Sequence, residues 1–455
     1  MDIETQLRAK YGNKKILVVG LGLLGGGVGI AKFFSKLGSI VTVTDKKDET
    51  QLKPSIDELR ELDVRFTLGR HDPRDFLSAD VIFKGPFVPW DLPEILKAQK
   101  NKIPIEMEMS FFASYCPAKI IGITGTRGKS TTTQMIYTLL KNSGIACHLA
   151  GNIPHLSTIQ LLPKIQRDDT VVMELASWPL SGFHHNKLSP QLAVFTNFYP
   201  DHLNYYKTMD DYFYDKTAIF AYQKKEDILI CNSNLKEKLS KMLPASRVIY
   251  FSENDFPEKL IYLKGKHNRE NAAAAYQAAQ QLRLDNKSSI KVLSEFRTIP
   301  YRLQTVAQTE AFTFVNDTTS TTPVATAKAI QAYEKEKVVL ILGGMDKNLP
   351  FDELLSQLDY VESIVLLKGS FTDRLLSQIE KHYVKKITPV FDSLERAVYE
   401  AVKIAENIHN KHPSQKVVIL FSPGATSFAM FNNEFHRGDM FNEIVKRLIK
   451  DHETS

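Results

Sequence analysis

Residues 122 to 133 read Gly-Ile-Thr-Gly-Thr-Arg-Gly-Lys-Ser-Thr-Thr-Thr, and their flanks constrain what this stretch can become. The run Lys119-Ile120-Ile121 precedes it, and Met135, Ile136, Leu139 and Leu140 follow at helical spacing. Strand, glycine-rich turn and helix, in that order, make the place where backbone N–H groups and the positive end of a helix hold a polyphosphate. Gly125 and Gly128 let the loop, with Thr126 between them, curl close to phosphate oxygens. Lys129 is predicted to reach the β- and γ-phosphates, and Ser130 or Thr131 to offer a hydroxyl to Mg²⁺. A glycine-rich turn with an incidental Lys-Ser would not need this flanking order. The stretch predicts an ATP site on an α/β layer.

A chain of 455 residues exceeds one hydrophobic core and predicts about three domains. The net charge of +6 comes from lysines and arginines dispersed along the chain, which suits anionic small ligands and argues against nucleic acid or a membrane as partner. No apolar run reaches the length of a membrane span, and Met1-Asp2-Ile3-Glu4 is too polar for a secretion signal. Cys116, Cys147 and Cys231 are odd in number and far apart, against both a disulfide framework and a zinc site. The expectation is a cytoplasmic, monomeric protein.

Strands are predicted at 16–19, 40–44, 170–173, 192–195, 227–230, 313–315, 338–342, 364–367 and 417–420, extending to Phe421, with helical stretches between them. The first is followed by Gly20-Leu21-Gly22-Leu23-Leu24-Gly25, and the second ends at Asp45, the βαβ pattern of a nucleotide fingerprint with an acidic residue for ribose or base. Close helix–strand packing is the plainer meaning of those glycines. The chain thus reads as three α/β domains at 1–103, 104–298 and 299–455: an N-terminal Rossmann-like domain, a central P-loop ATPase domain and a C-terminal Rossmann-like domain. Glu174 ends one strand and is a candidate Mg²⁺ ligand, since that cation prefers one or two carboxylates with phosphate oxygens and water. Asn197 and then Asp201-His202 follow the next strand, facing the same crevice.

The loop lacks the glycine that an ordinary P-loop would carry at Ile123, and it resembles instead the T-G-T-x-G-K-[ST] loop of the Mur ligase family, ATP-dependent amide-forming enzymes of bacterial cell-wall synthesis. Asn197-Phe198-Tyr199-Pro200-Asp201-His202 resembles that family's N-x-x-P-D-H-L, which implies His202 at the metal and substrate phosphate. Lys216 matches the lysine that the family carbamylates to help hold a second Mg²⁺; a plain surface lysine is the alternative. Gly265 to Ala274 resembles the G-x-H-N-x-x-N-A-A-A helix start, which implies that Asn268 and Asn271 hold adenine. Arg302, in Ile299-Pro300-Tyr301-Arg302, corresponds to an arginine that reaches the γ-phosphate, and Asp317 to an aspartate of the ribose or metal environment.

Gly343-Gly344-Met345-Asp346-Lys347 and Ser422 to Phe428, with Phe435-His436-Arg437-Gly438, resemble the tail of the branch of that family that joins D-glutamate to UDP-N-acetylmuramoyl-L-alanine. The resemblance runs from about Lys15 to Phe441. It implies that Gly22, Leu23, Leu24, Asp45, Asn152 and Ser177 meet the nucleotide-sugar donor, and that Thr321, Lys347, Ser427 and Phe428 meet the amino acid. Five positions depart from the pattern: Arg127, Ala176, Trp178, Pro179 and Thr319. Arg127 replaces the loop's asparagine, Glu174-Leu175-Ala176-Ser177-Trp178-Pro179 replaces E-L-S-S-F-Q, and Thr319 replaces a lysine. A ligase of the same type with another donor or acceptor, such as a polyglutamate or folylpolyglutamate former, and a nucleotide-binding scaffold without chemistry both stay open at this point.

Overall fold

The computed structural model describes residues 2–23, 25–153, 156–201, 205–263, 265–297, 300–346, 349–427 and 430–453. Three sheets form in chain order. The first contains β1 (Lys15–Val19), β2 (Ile40–Asp45), β3 (Val64–Leu68), β4 (Val81–Lys84) and β5 (Ile105–Glu106), all parallel, in spatial order β3-β2-β1-β4-β5. The second contains β6 (Lys119–Thr124), β7 (Cys147–Gly151), β8 (Thr170–Glu174), β9 (Leu192–Phe195), β10 (Ile228–Asn232) and β11 (Arg247–Phe251), again parallel, in order β11-β10-β9-β6-β8-β7. The third contains β12 (Gln304–Gln308), β13 (Phe312–Asn316), β14 (Lys337–Gly343), β15 (Ser363–Leu367), β16 (Ile387–Phe391) and β17 (Val417–Phe421), in order β12-β13-β17-β14-β15-β16. Its edge strand β12 pairs antiparallel with β13, where the sequence pattern alone reads as further βαβ units.

Inner strands such as β8, β9 and β17 are buried at every residue, because helices cover both faces of a parallel sheet and each strand must be apolar on both sides. The expected three-sheet α/β architecture is therefore present. By internal contacts the chain forms two compact units, Met1–Phe296 and Arg297–Ser455. The first two sheets share one unit for a visible reason. A single apolar cluster runs from Leu7, Phe34 and Phe83 through Phe111 to Leu175 and Phe195. Across the same seam Ser157 packs so tightly on Gly29 that a Cβ there would lie 1.9 Å from the serine Oγ. Ser157 Oγ donates to Glu108 Oε1 at 2.7 Å, and burial pushes that carboxyl up to about 6.

β6 is the strand beside which the order of the second sheet reverses, with β8 on one side and β9 on the other. The crevice outside such a switch point is where open α/β sheets bind ligands. The loop after β6 opens into it.

Candidate active site

The loop from Gly125 to Gly128 leaves β6 and enters the helix Lys129–Asn142. Its shape needs glycine at two places. Gly128, at φ 78°, caps the helix in the left-handed region, and a Cβ there would lie 2.2 Å from Asn271 Oδ1. Gly125 stands at φ 149°, and a Cβ there would lie 2.0 Å from Thr196 Oγ1.

The peptide of Arg127 is clamped from the end of β9. Its N–H donates to Asn197 Oδ1 at 2.8 Å, and its carbonyl accepts from Thr196 Oγ1 at 2.6 Å and Asn197 Nδ2 at 3.1 Å. Thr126 N–H donates to the Asn197 carbonyl at 3.0 Å. Asparagine suits this task because one side chain supplies an acceptor to the N–H and a donor to the carbonyl of the same residue. The sequence placed Asn197 in a motif without seeing that role. The Arg127 side chain is exposed, its guanidinium 3.9 Å from Asp201.

Two lysines converge on one carbonyl of this loop. Lys129 Nζ donates to Gly125 O at 3.1 Å and Thr126 O at 3.0 Å, and Lys216 Nζ donates to Gly125 O at 2.8 Å. Lys216 comes from the helix Met209–Thr217, is 1% exposed, and lies over the Tyr212 ring. Burial first, and then the neighbouring Lys129 charge, push its ammonium well below the ordinary lysine range. Ser130 and Thr131 are half-buried in the first turn of the helix, and Glu174 ends β8 with 6% exposure, in register with Ile123 of β6.

This set fits a hard cation. Glu174 and the Ser130 hydroxyl are oxygen donors, of the type Mg²⁺ takes, beside a loop shaped for phosphate. Among the described residues no cluster of three or more His, Cys, Asp or Glu side chains is placed to hold a metal. A cation here would thus draw on phosphate oxygens and water as well. His202 lies outside the described residues.

The adenine candidates come from the start of the helix Lys266–Gln281. Asn271 is 5% exposed and lies against the phosphate loop, where its Oδ1 accepts from Thr132 Oγ1 at 3.4 Å. Asn268 is half-buried one turn earlier. The structure therefore brings Gly125, Thr126, Gly128, Lys129, Ser130, Thr131, Glu174, Lys216 and Asn271 to one crevice.

The first glycine-rich loop is built differently. Asp45 Oδ2 accepts from Leu21 N–H at 2.9 Å and Gly22 N–H at 3.3 Å, and its Oδ1 accepts from Lys47 N–H at 2.9 Å. A carboxylate of this chain thus holds the loop, and Asp45 is 9% exposed. Leu23 stands out at 41% exposure, and Leu24 lies outside the described residues. Asn152 is exposed after β7, its N–H on the Glu174 carbonyl at 2.8 Å, and Ser177 is buried at the start of the helix Ser177–Asn186.

In the second unit the two glycine-containing tail segments meet at the carboxyl ends of β14 and β17. Met345 and Thr426 exchange backbone hydrogen bonds at 3.0 Å each. Ser427 is 3% exposed, and its Oγ has no hydrogen-bond partner among the described residues. Asp346 pairs with Arg374 at 2.6 Å. Arg437, 1% exposed, donates to the Thr318 hydroxyl and carbonyl and to the Ala425 carbonyl, tying the loop after β13 to the loop after β17. Asp317 is turned inward, accepting from Leu303 N–H at 3.0 Å and Ser422 Oγ at 2.7 Å, and burial pushes its carboxyl up to about 6. Thr321 is half-buried and Arg302 exposed. Lys347 and Phe428 lie outside the described residues.

Fold and loop together define a nucleotide-phosphate-binding α/β protein whose helix N-terminus and lysines face a switch-point crevice. Residues 123–262 match the Mur ligase middle domain, and residues 14–106 match the MurD-like N-terminal domain of Mur ligases. The chain is 34% identical to the UDP-N-acetylmuramoylalanine--D-glutamate ligase of Roseiflexus sp. (strain RS-1), with 95% of this chain and 98% of that protein covered. It is also 34% identical to the like-named ligase of Borreliella burgdorferi (strain ZS7), covering 96% of this chain and 98% of the relative. Among solved structures it resembles UDP-N-acetylmuramate-alanine ligase MurC of Thermotoga maritima (TM-score 0.55, 19% identity, 96% of this chain and 100% of that one). It likewise resembles MurF ligase of Thermotoga maritima in complex with ADP (TM-score 0.52, 17% identity, 98% and 100%). The chain belongs to the Mur ligase family.

Proposed function

We propose that this protein is an ATP-dependent ligase that joins D-glutamate to UDP-N-acetylmuramoyl-L-alanine. The observation that carries the chemistry is the meeting of Lys129 and Lys216 on the Gly125 carbonyl, at the mouth of a glycine loop and a helix N-terminus. Lys129 brings a cation to the phosphate loop, which matches the charge that builds up on a transferring phosphoryl group, while burial beside it disfavours a second cation at Lys216. The choice of donor and acceptor is supported by relatives of that name matched over nearly their whole length.

The donor's alanyl carboxylate attacks the γ-phosphorus, the bond to the β-bridging oxygen breaks, and ADP leaves an acyl phosphate. The D-glutamate amine then attacks the acyl carbon, loses a proton, and expels inorganic phosphate. Little covalent help is needed, so positioning and charge dominate. Lys129 bears on the phosphates, Asn271 and Asn268 on adenine, and Ser130 and Glu174 would hold Mg²⁺, which neutralises phosphate charge when bound. Lys216 is proposed to act as its carbamate: the neutral amine, favoured by burial beside Lys129, adds CO₂ and releases a proton, giving an anionic group with two oxygens that would serve a second Mg²⁺. The proposed division places a donor domain at 1–103, an ATP domain at 104–298 and an amino-acid domain at 299–455. Ser427, whose buried hydroxyl has no hydrogen-bond partner among the described residues, is the tail residue best supported as an acceptor contact. Among the described residues no helix is long and apolar enough to cross a membrane. A monomer in the cytoplasm, where its nucleotide substrates are found, completes the reading.

The test is phosphate release and product mass from ATP, UDP-N-acetylmuramoyl-L-alanine and a mixture of amino acids. Release that depends on both donor and D-glutamate, with the D-glutamyl product, is expected. Turnover with another amino acid and none with D-glutamate would overturn the acceptor. Phosphate release with no donor requirement would overturn the ligase.

A further inference from the structure

The loop that leaves β14 is gripped by one arginine of the second unit. Arg374, in the helix Ser370–Tyr383, faces Asp346 Oδ2 with its Nε at 2.6 Å, and its Nη2 donates to Asp346 Oδ1 at 3.0 Å and to the Leu349 carbonyl at 2.6 Å. The Phe351 ring lies 4.5 Å from the guanidinium carbon. The first turn of the same helix adds two further ties, since Asp346 N–H donates to Ser370 Oγ at 3.1 Å and Phe371 N–H donates to the Gly344 carbonyl at 3.0 Å. One helix start thus fixes the loop at Gly344, Asp346 and Leu349. A planar fork of N–H donors can hold a carboxylate and a separate carbonyl together, whereas an ammonium is a single point of charge.

The other side of this loop shows what the grip is for. Met345 and Thr426 exchange backbone hydrogen bonds, and Thr426 Oγ1 donates to the Met345 carbonyl at 3.2 Å. Gly344 stands at φ 143°, where a Cβ would lie 2.4 Å from the Thr426 carbonyl oxygen, so the loops after β14 and β17 meet backbone to backbone. Contact of that kind passes a shift of one loop to the other. Ser427 follows Thr426 and lines a cavity with Gly344 and Arg437, its hydroxyl without a hydrogen-bond partner among the described residues. A partly exposed ion pair such as Arg374–Asp346 adds little to stability, so its effect is expected in where the loops sit. We propose that Arg374 is a positioning residue for the amino-acid acceptor: it fixes the loop after β14 and, through Met345 and Thr426, the place at which Ser427 presents its hydroxyl. This rests on the reading of Ser427 as an acceptor contact above.

Arg374→Ala should raise the D-glutamate KM about tenfold, with kcat and the ATP KM within about twofold of the wild type. In a Ser427→Ala background the same change should raise it less than about twofold, because the hydroxyl it positions is gone. Arg374→Lys, which keeps a charge beside Asp346 without the fork, should fall between the wild type and Arg374→Ala. An unchanged D-glutamate KM in folded Arg374→Ala, or an equal rise with and without the Ser427 hydroxyl, overturns the positioning role. Should Arg374→Ala fail to fold, Arg374→Lys decides by the same comparison. Should the wild type turn over a different amino acid, the acceptor reading fails, and the comparison run with that amino acid still decides the role of Arg374.

Discussion

The first unit contains two glycine-rich strand–turn–helix loops, and they are wired in opposite senses. After β1, two loop N–H groups point at Asp45, so the chain supplies its own anion. After β6, side chains of Thr196 and Asn197 clamp the Arg127 backbone, and Lys129 brings a cation to the Gly125 carbonyl that buried Lys216 shares. Glycine spacing makes the turn possible in both. The groups that answer the backbone decide the ligand. A loop already bonded to a carboxylate has fewer N–H groups to offer an anion, whereas a loop with a lysine at its helix N-terminus suits phosphate.

The sharpest way to break this contrast is to remove the cation that the second loop has and the first lacks. Lys129→Ala should lower kcat on the order of 10²–10³-fold, the usual loss for one aimed electrostatic contact, while the melting temperature stays near that of the wild type. A folded variant with near-normal turnover would put the two loops on the same footing. Lys216→Ala comes next. It should cost about 10²-fold in kcat and be partly rescued by short carboxylates, which return metal-facing oxygens. Intact-protein mass spectrometry under CO₂ should show one added CO₂ that the variant lacks. Failure of both rescue and mass increment would leave Lys216 as an ordinary cation of the loop.

The legible part of this fold was its interior. In the second sheet β10, β9, β6 and β8 are central, and in the third β13, β17, β14 and β15 are. Each reads from sequence as an apolar run because both its faces are covered. The edges β3, β5, β7, β11, β12 and β16 did not announce themselves: β5 is only Ile105-Glu106, β7 is Cys-His-Leu-Ala-Gly, and β16 contains Pro389, which an edge strand tolerates. β4 was missed although central, since four residues ending in Lys84 give too short a period to read. The phosphate loop was legible because its chemistry is contiguous in sequence. What stayed hidden were particular contacts made from afar: Asn197 on the Arg127 backbone, Asn271 against Gly128, Arg437 on the Thr318 carbonyl, and the Phe87–Trp178 pair, 91 positions apart. Asp45 shows the limit from the other side, since an acidic residue at the right distance gave no sign that it would bond its own loop.

The smallest expected effect tests that self-wiring. Asp45→Ala leaves the N–H groups of Leu21, Gly22 and Lys47 without their acceptor. Hydrogen bonds to a charged group contribute ~1.5–3 kcal/mol each when buried, but water reaches an open loop and recovers part of this, so a loss of roughly 2 kcal/mol in stability is expected. The donor KM should rise about threefold to tenfold as the loop loses its shape, with the ATP KM unmoved. Removing a negative charge near an anionic donor acts in the opposite direction, by ~1 kcal/mol at 4 Å in water. Asp45→Asn separates the two effects, because its amide oxygen still accepts from the loop while the charge is gone. That variant should keep the donor KM within about twofold of the wild type or lower it. If Asp45→Asn and Asp45→Ala raise the donor KM equally, the carboxylate meets the donor through its charge, and the first loop is no more self-contained than the second.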